Sequence, residues 1–262
     1  DAVRAPTRSP APDVARAARG ALAALARCGS ARRAAGARRY FKETVRAFGV
    51  PAPVLRRLAG ETARRVRGAW TVEDAVRFCD RMIRDARLEA KAFGLLVLER
   101  FGEDLTRAHL PAIERWIEKH AANWATVDEI GPHVVGPLLD RDPSVKRRVI
   151  AWSRSPSPWM RRASAVSFVL HARRGRHLDE AYRVAERLFP CPEDLVHKAT
   201  GWLLREAGRT DPARLEAFLL RHGPRVPRTA LRYAIERFGA AERKRLLAAT
   251  RGRRATSRSR AS

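Results

Sequence analysis

The stretch TVEDAVRFCDRMIRDARLEAKAFGLLVL, residues 71–98, decides the fold. Thr71 followed by Asp74 reads as an N-cap with its third-position acid, the reciprocal pair that satisfies the first free N–H groups of a helix. Beyond it, Ala, Val, Phe, Met, Ile and Leu recur at three- and four-residue spacing, the period of one helical face. No stretch of the chain shows the strict alternation of a half-buried strand. Outward from this segment the same kind of start signal returns. Asp142-Pro143, Ser157-Pro158 and Asp211-Pro212 each place a capping side chain before a proline at the first helical position.

Helix pairs are expected to open near Thr71, Leu105, Asp142, Leu178 and Asp211, at intervals of 34, 37, 36 and 33 residues. That period belongs to a helical solenoid. The fixed Trp, Leu-Gly, Tyr and Pro offsets of tetratricopeptide repeats are missing. The expected fold is therefore all-α, a right-handed superhelical solenoid of HEAT-like antiparallel helix pairs with a basic concave face. The repeat domain is expected over residues 13–250, flanked by a disordered basic segment at 1–12 and an Arg/Ser-rich disordered tail at 251–262.

The charge points to a partner. The 262 residues carry 54 Lys+Arg against 28 Asp+Glu, a formal net charge of +26. Residues 1–39 contribute +7 and residues 251–262 contribute +5, leaving +14 for the body. The commonest use of such a field is a polyanion, nucleic acid before an anionic membrane surface. With only six lysines, the choice of Arg over Lys follows the composition of a GC-rich coding sequence, and the summed charge carries the functional weight. The apolar run Phe93–Leu98 is far short of the roughly 20 residues that cross a bilayer. The first ten residues carry no apolar core of the signal-peptide kind, so a cytoplasmic, nucleoid-associated protein is expected. Three widely spaced cysteines, Cys28, Cys79 and Cys191, build neither a disulfide framework nor a paired zinc site. Neither a His-Glu-x-x-His pattern, a P-loop, nor a Gly-x-Gly-x-x-Gly after a strand is present, and no metal or cofactor is expected.

A second regularity lies in the second helix of each pair. Lys91-Ala92-Phe93-Gly94-Leu95, Arg162-Ala163-Ser164-Ala165-Val166 and Lys198-Ala199-Thr200-Gly201-Trp202 share the order basic, Ala, any, small, apolar. The repeat between the first two should place its basic residue near 127, where the chain has Asp128. Small residues in such a register serve helix packing and a charge serves as a solvated rim, so a structural reading accompanies any functional one. Trp124 and Asp128 are spaced i, i+4 and share one helical face. Trp202 stands in the matching register of a later repeat, with Arg162 in the repeat between. A carboxylate flanked by indole rings steadies a cation, each ring contributing roughly 0.5–2 kcal/mol. Glu129 points about 100° away on an ideal helix and is the weaker carboxylate. Trp70, Trp116 and Trp152 read as core.

These residues resemble the AlkD-like DNA alkylation repair glycosylases. The resemblance is carried in order by Tyr40-Phe41-Lys42, Phe48-Gly49-Val50 with Pro53, Trp124-x-x-x-Asp128, Trp159-Met160-Arg161-Arg162-Ala163, and Lys198-Ala199-x-Gly201-Trp202-x-Leu204-Arg205-Glu206. It runs from about residue 36 to 240 and leaves the tails outside. It implies a curved stack of helix pairs holding double-stranded DNA and hydrolysing the N-glycosidic bond of purines alkylated at N3 or N7, as a monomer, without metal or cofactor. Carried over, Trp124 and Trp202 contact the damaged nucleotide, Asp128 faces the sugar and Arg162 lies beside it. Tyr40, Lys91, Arg161, Lys198 and Arg205 are the expected DNA contacts. A noncatalytic HEAT-type module that binds DNA or RNA by charge and shape is the alternative, and Asp128 discriminates, because an acid facing phosphates costs a pure binder affinity. A protein-binding scaffold is disfavoured by the positive body.

Overall fold

The computed structural model describes residues 13–251. Among them the chain is helical, with a single isolated bridge between Arg46 and Arg87 and no strand. The expectations for residues 1–12 and for 252–262 lie outside the described residues. Two compact units meet in sequence between Arg148 and Val149.

The first unit holds α1 (Val14–Cys28), α2 (Ala31–Arg38), α3 (Ala52–Val66), α4 (Val72–Ile83), α5 (Leu88–Glu99), α6 (Leu110–Lys119), α7 (Trp124–Glu129) and α8 (Gly136–Arg141). Helix α9 (Pro143–Ala151) spans the boundary. The second unit holds α10 (Pro158–Val166), α11 (Val169–Ala172), α12 (Leu178–Leu188), α13 (Asp194–Ala207), α14 (Pro212–His222), α15 (Arg228–Ala234) and α16 (Ala240–Ala249). No described helix is long and apolar enough to cross a membrane.

The caps are where the local chemistry requires them. Thr71 and Asp74 form a reciprocal capping box on α4, Ser157 accepts from the Met160 N–H on α10, and Asp211 accepts from the Arg214 N–H on α14. The start expected at Leu105 is displaced. Thr106 caps a 3-10 turn, Arg107–His109, which runs into α6 at Leu110. Counted from that turn, the helix pairs of α4, α6, α9, α12 and α14 open at intervals of 34 to 36 residues. The repeat is more regular than the sequence spacing alone suggests.

Within each unit the second helix of a pair is the buried one. Helix α5 packs on α3 and α4, and α13 packs on α10, α12 and α15. The small residues of the shared pattern sit at these contacts. A Cβ on Gly94 would lie 2.7 Å from Met82 Cβ, and one on Gly201 would lie 2.4 Å from Tyr233 Cβ and 2.6 Å from the Ala230 carbonyl oxygen. Ser164, fully buried, donates its hydroxyl to the Val149 carbonyl at 2.8 Å. The small positions are thus explained by close helix approach, and the pattern is first of all a packing signature.

Candidate active site

Trp124 opens α7, and its placement begins one residue earlier. Asn123, 2% exposed, accepts the Thr126 N–H at 3.1 Å and the Thr126 hydroxyl at 3.3 Å, fixing the start of the helix. The N-cap sets which way Trp124 and Asp128 point, one turn apart, and both side chains are half-buried. Beyond Glu129 the helix widens into a π-helical segment, Ile130–Val135, before α8. The cause is in the sequence. Pro132 lacks the N–H that would close an α-helical bond to the Asp128 carbonyl, and Pro137 repeats the omission one turn later. The Gly136 N–H accordingly reaches back to the Gly131 carbonyl, five residues earlier.

Phe41 completes this part of the site. Its ring stacks on Trp124 with centroids 5.1 Å apart and 19° between the planes. Tyr40 beside it is 79% exposed. The segment carrying both is fastened at its far end by a buried acid. The N–H groups of Phe48, Gly49 and Val50 converge on the Glu89 carboxylate at 2.8, 2.7 and 3.0 Å. Glu89 lies in the first turn of α5, where the helix dipole favours a negative charge. Gly49 has φ +76°, and a Cβ there would meet the Ser30 carbonyl oxygen at 2.2 Å. Arg87 lies over the Phe48 ring at 4.0 Å, and Arg33 Nε donates to the Gly49 carbonyl at 2.8 Å. Sequence reasoning assigned neither Phe41 nor Glu89 a role, although the resemblance quoted Phe41 next to Tyr40.

Glu129 lines a cavity of about 190 Å³ with Leu55, Leu88, Ala92, Ala125 and Thr126. Asp128 does not line that cavity. The tryptophans sort by burial: Trp70, Trp116 and Trp152 are 9%, 0% and 5% exposed, as core residues should be. Trp124, Trp159 and Trp202 stay half-buried.

The second unit carries Arg162, Lys198, Trp202 and Arg205. Arg162 is buried on α10, 5% exposed, and donates to the Leu195 carbonyl. Lys198 and Trp202 share one face of α13 at i, i+4. Lys198 pairs with Asp194 at 2.9 Å, and that hydrogen bond holds its ammonium above the ordinary lysine range, against the opposing positive charge of Arg162. Arg205 pairs with Glu236 and lies 3.4 Å from Glu206.

Two of the expected DNA contacts, like Arg162, are engaged inside the protein. Lys91 is 7% exposed, and its ammonium donates to the Ile83 carbonyl at 2.6 Å and the His120 carbonyl at 2.8 Å. These are the carbonyls at the ends of α4 and α6, so one cation caps two helix C-termini, where the dipoles favour it. Burial lowers its pKa from the ordinary lysine value. Arg161 is equally committed. It donates to the Ser155 and Pro156 carbonyls at 2.7 and 3.0 Å and pairs with Glu193, with 13% of its side chain exposed. Both are interior fasteners. Replacing Lys91 by Met is expected to cost about 2–4 kcal/mol, because two carbonyls lose a charged donor. The salt dependence of DNA binding should stay at the parental value. Chemical denaturation and a salt titration check this, and a stable Lys91→Met protein with a flatter salt slope would restore Lys91 to the DNA-facing set.

The comparisons with known proteins agree with this fold. Residues 21–238 match the family model of the DNA alkylation repair enzymes. No curated protein sequence matches the chain. Among solved structures, a predicted DNA alkylation repair enzyme from Enterococcus faecalis superimposes with a TM-score of 0.72 at 16% identity, covering 81% of this chain and 97% of that one. At that identity the likeness is one of fold, whereas the family match spans most of the chain. This all-α chain belongs to the DNA alkylation repair enzyme family.

Proposed function

We propose that the protein is a monofunctional DNA glycosylase that hydrolyses the N-glycosidic bond of cationic N3- or N7-alkylated purines in duplex DNA. The observation that carries this reading is the carboxylate at Asp128, one helical turn from Trp124 on a capped helix, within a chain whose net charge is +26. An N3- or N7-alkylpurine already bears a positive charge and departs without being protonated, so no strong general acid is needed. What the reaction requires is a negative group beside C1′ as the sugar gains oxocarbenium character. Asp128 supplies that charge and orients a water. The C1′–N bond breaks with its electron pair leaving on the purine, the water oxygen bonds to C1′, and the water proton passes to solvent.

Trp124, backed by Phe41 on one ring face, contacts the damaged nucleotide. Trp202 is a DNA contact from the second unit, Tyr40, Lys198 and Arg205 bind the backbone, and Arg162, 5% exposed and donating to the Leu195 carbonyl, is held inside the protein as Lys91 and Arg161 are. Strand-cleaving lyase chemistry would need a lysine amine for Schiff-base attack. The amine of Lys91 is engaged by two carbonyls, and Lys198 is ion-paired with a raised pKa, which supports hydrolysis alone. The enzyme acts as a monomer in the cytoplasm without a cofactor.

The test is incubation of methylated duplex DNA with the protein and measurement of free 3-methyladenine and 7-methylguanine. Release of either base with the strand left uncut is the expected result. Tight, salt-sensitive binding without base release would instead make the protein a noncatalytic module that reads charge and shape.

A further inference from the structure

A buried carboxylate on α13 gathers more positive charge than it neutralises. Glu206 is 1% exposed, and four guanidinium groups among the described residues approach it. Arg173 Nε lies at 2.8 Å, Arg205 Nε at 3.4 Å, Arg209 Nη1 at 3.6 Å and Arg237 Nη2 at 3.8 Å. Arg205 is also paired with Glu236. Four cations thus share two carboxylates. Burial by itself would raise the Glu206 carboxyl, yet the Arg173 hydrogen bond and the surrounding guanidinium charges hold it below the ordinary glutamate range.

One cation is enough to neutralise the buried Glu206 carboxylate, and Arg173, which hydrogen-bonds it through Nε, supplies that charge. Arg209 and Arg237 lie farther from the carboxylate, at 3.6 and 3.8 Å, with side chains 40% and 51% exposed, so solvent screens their attraction to it while the like charges oppose their approach to one another. Of the four, Arg173 alone hydrogen-bonds Glu206, through Nε, and Arg209 and Arg237 have no side-chain hydrogen bond among the described residues, so their N–H donors are left over. Arg209 and Arg237 have no other ion pair among the described residues. The surplus is two positive charges and several unspent donors in a fork geometry that suits phosphate oxygens. The position is equally specific: Glu206 stands one helical turn beyond Trp202 on α13.

We propose that Arg173, Arg209 and Arg237, held together by Glu206, form a phosphate-binding site whose ligand is a backbone phosphodiester of the DNA. Glu206 is a positioning residue in this site. The proposal rests on the reading of the chain as a DNA-binding enzyme, and it adds a phosphate clamp next to Trp202 that is independent of the chemistry at Asp128.

The experiment uses the full chain carrying Arg209→Gln and Arg237→Gln together, with Arg57→Gln as the control. Arg57 is an exposed arginine in the first unit, paired with Glu61 at 3.0 Å. Affinity for an undamaged duplex is measured across a salt series, and binding of inorganic phosphate is measured by calorimetry. For the double variant the slope of log K against log salt should fall by about 0.9, the value of one phosphate contact, while the control keeps the parental slope. Millimolar inorganic phosphate should not displace the duplex. An unchanged slope in the double variant overturns the proposal. Phosphate binding to the parent, lost in the double variant with no change in slope, also overturns it and identifies a site for free phosphate. Thermal melting confirms that both variants fold, as expected for exposed side chains. Base release from methylated DNA is scored separately, so loss of the clamp is distinguishable from failure of the glycosylase reading.

Discussion

Asp128→Asn is expected to lose on the order of 10² to 10³ in the rate of base release from methylated duplex DNA while binding that DNA as tightly as the parent. Asparagine keeps the size and hydrogen-bonding capacity of the side chain and removes only the charge. In the proposed mechanism that charge acts on the oxocarbenium sugar in a partly desolvated site, so its loss should fall on the transition state and spare the ground state. Removing one repulsion with the phosphates can even tighten binding. Single-turnover rates and a binding isotherm on the same duplex separate the two effects. Trp124→Ala and Trp202→Ala should behave differently, with rate and lesion affinity falling together because ring contact and packing area disappear at once. An Asp128→Asn protein that releases 7-methylguanine at the parental rate would make the carboxylate a structural partner and remove the mechanism, even if the protein proves to be a glycosylase.

Glu89→Gln is expected to destabilise the protein by about 2–4 kcal/mol. The carboxylate accepts three backbone N–H groups from Phe48, Gly49 and Val50 in a buried setting. An amide offers one acceptor oxygen and turns an NH₂ toward donors that it cannot satisfy. The charge that favours the first turn of α5 is lost with it. For a chain of this size the change corresponds to a fall in Tm of several degrees, at about 2–4 °C per kcal/mol. Amide exchange at Phe48, Gly49 and Val50 should accelerate more than exchange in α13. A melting temperature within 1 °C of the parent would show that the three N–H groups find other partners and that Glu89 does not hold the segment bearing Tyr40 and Phe41.

The helices and their ends were legible in the sequence because their causes are local. Thr71 with Asp74, Ser157 with Pro158 and Asp211 with Pro212 act within one turn of the residues that carry the signal, and the structure places caps at each. The displaced start at Leu105 shows the limit. Thr106 competes as a cap for a short 3-10 turn, and periodicity of apolar residues does not resolve a boundary of that size. The widened helix after Glu129 was also written locally, in Pro132 and Pro137, although only the altered hydrogen-bonding pattern makes it visible.

The basic residues divide differently. Lys91, Arg162 and Lys198 occupy one register of one pattern, yet Lys91 turns its ammonium onto two helix ends while Lys198 stays half-exposed beside Asp194. A long flexible side chain with a charged tip reads the same in either case. What separates them is whether carbonyls from neighbouring helices lie within its reach, and that depends on how α4 and α6 are packed around α5.

By itself the sequence determined the all-α class, the repeat length, the core tryptophans and the pairing of Trp124 with Asp128 on one helical face, because helical periodicity and capping act over three to seven residues. Tertiary structure alone decided that Phe41 covers Trp124, that Glu89 holds the N–H groups of residues 48–50, that Arg161 is spent on Ser155, Pro156 and Glu193, and that Glu206 collects its arginines. Several of these partners are about 30 to 80 residues apart in the chain. The energy of a hydrogen bond or an ion pair depends on a separation of a few ångströms and on the exclusion of water, and neither quantity exists until the helices have packed.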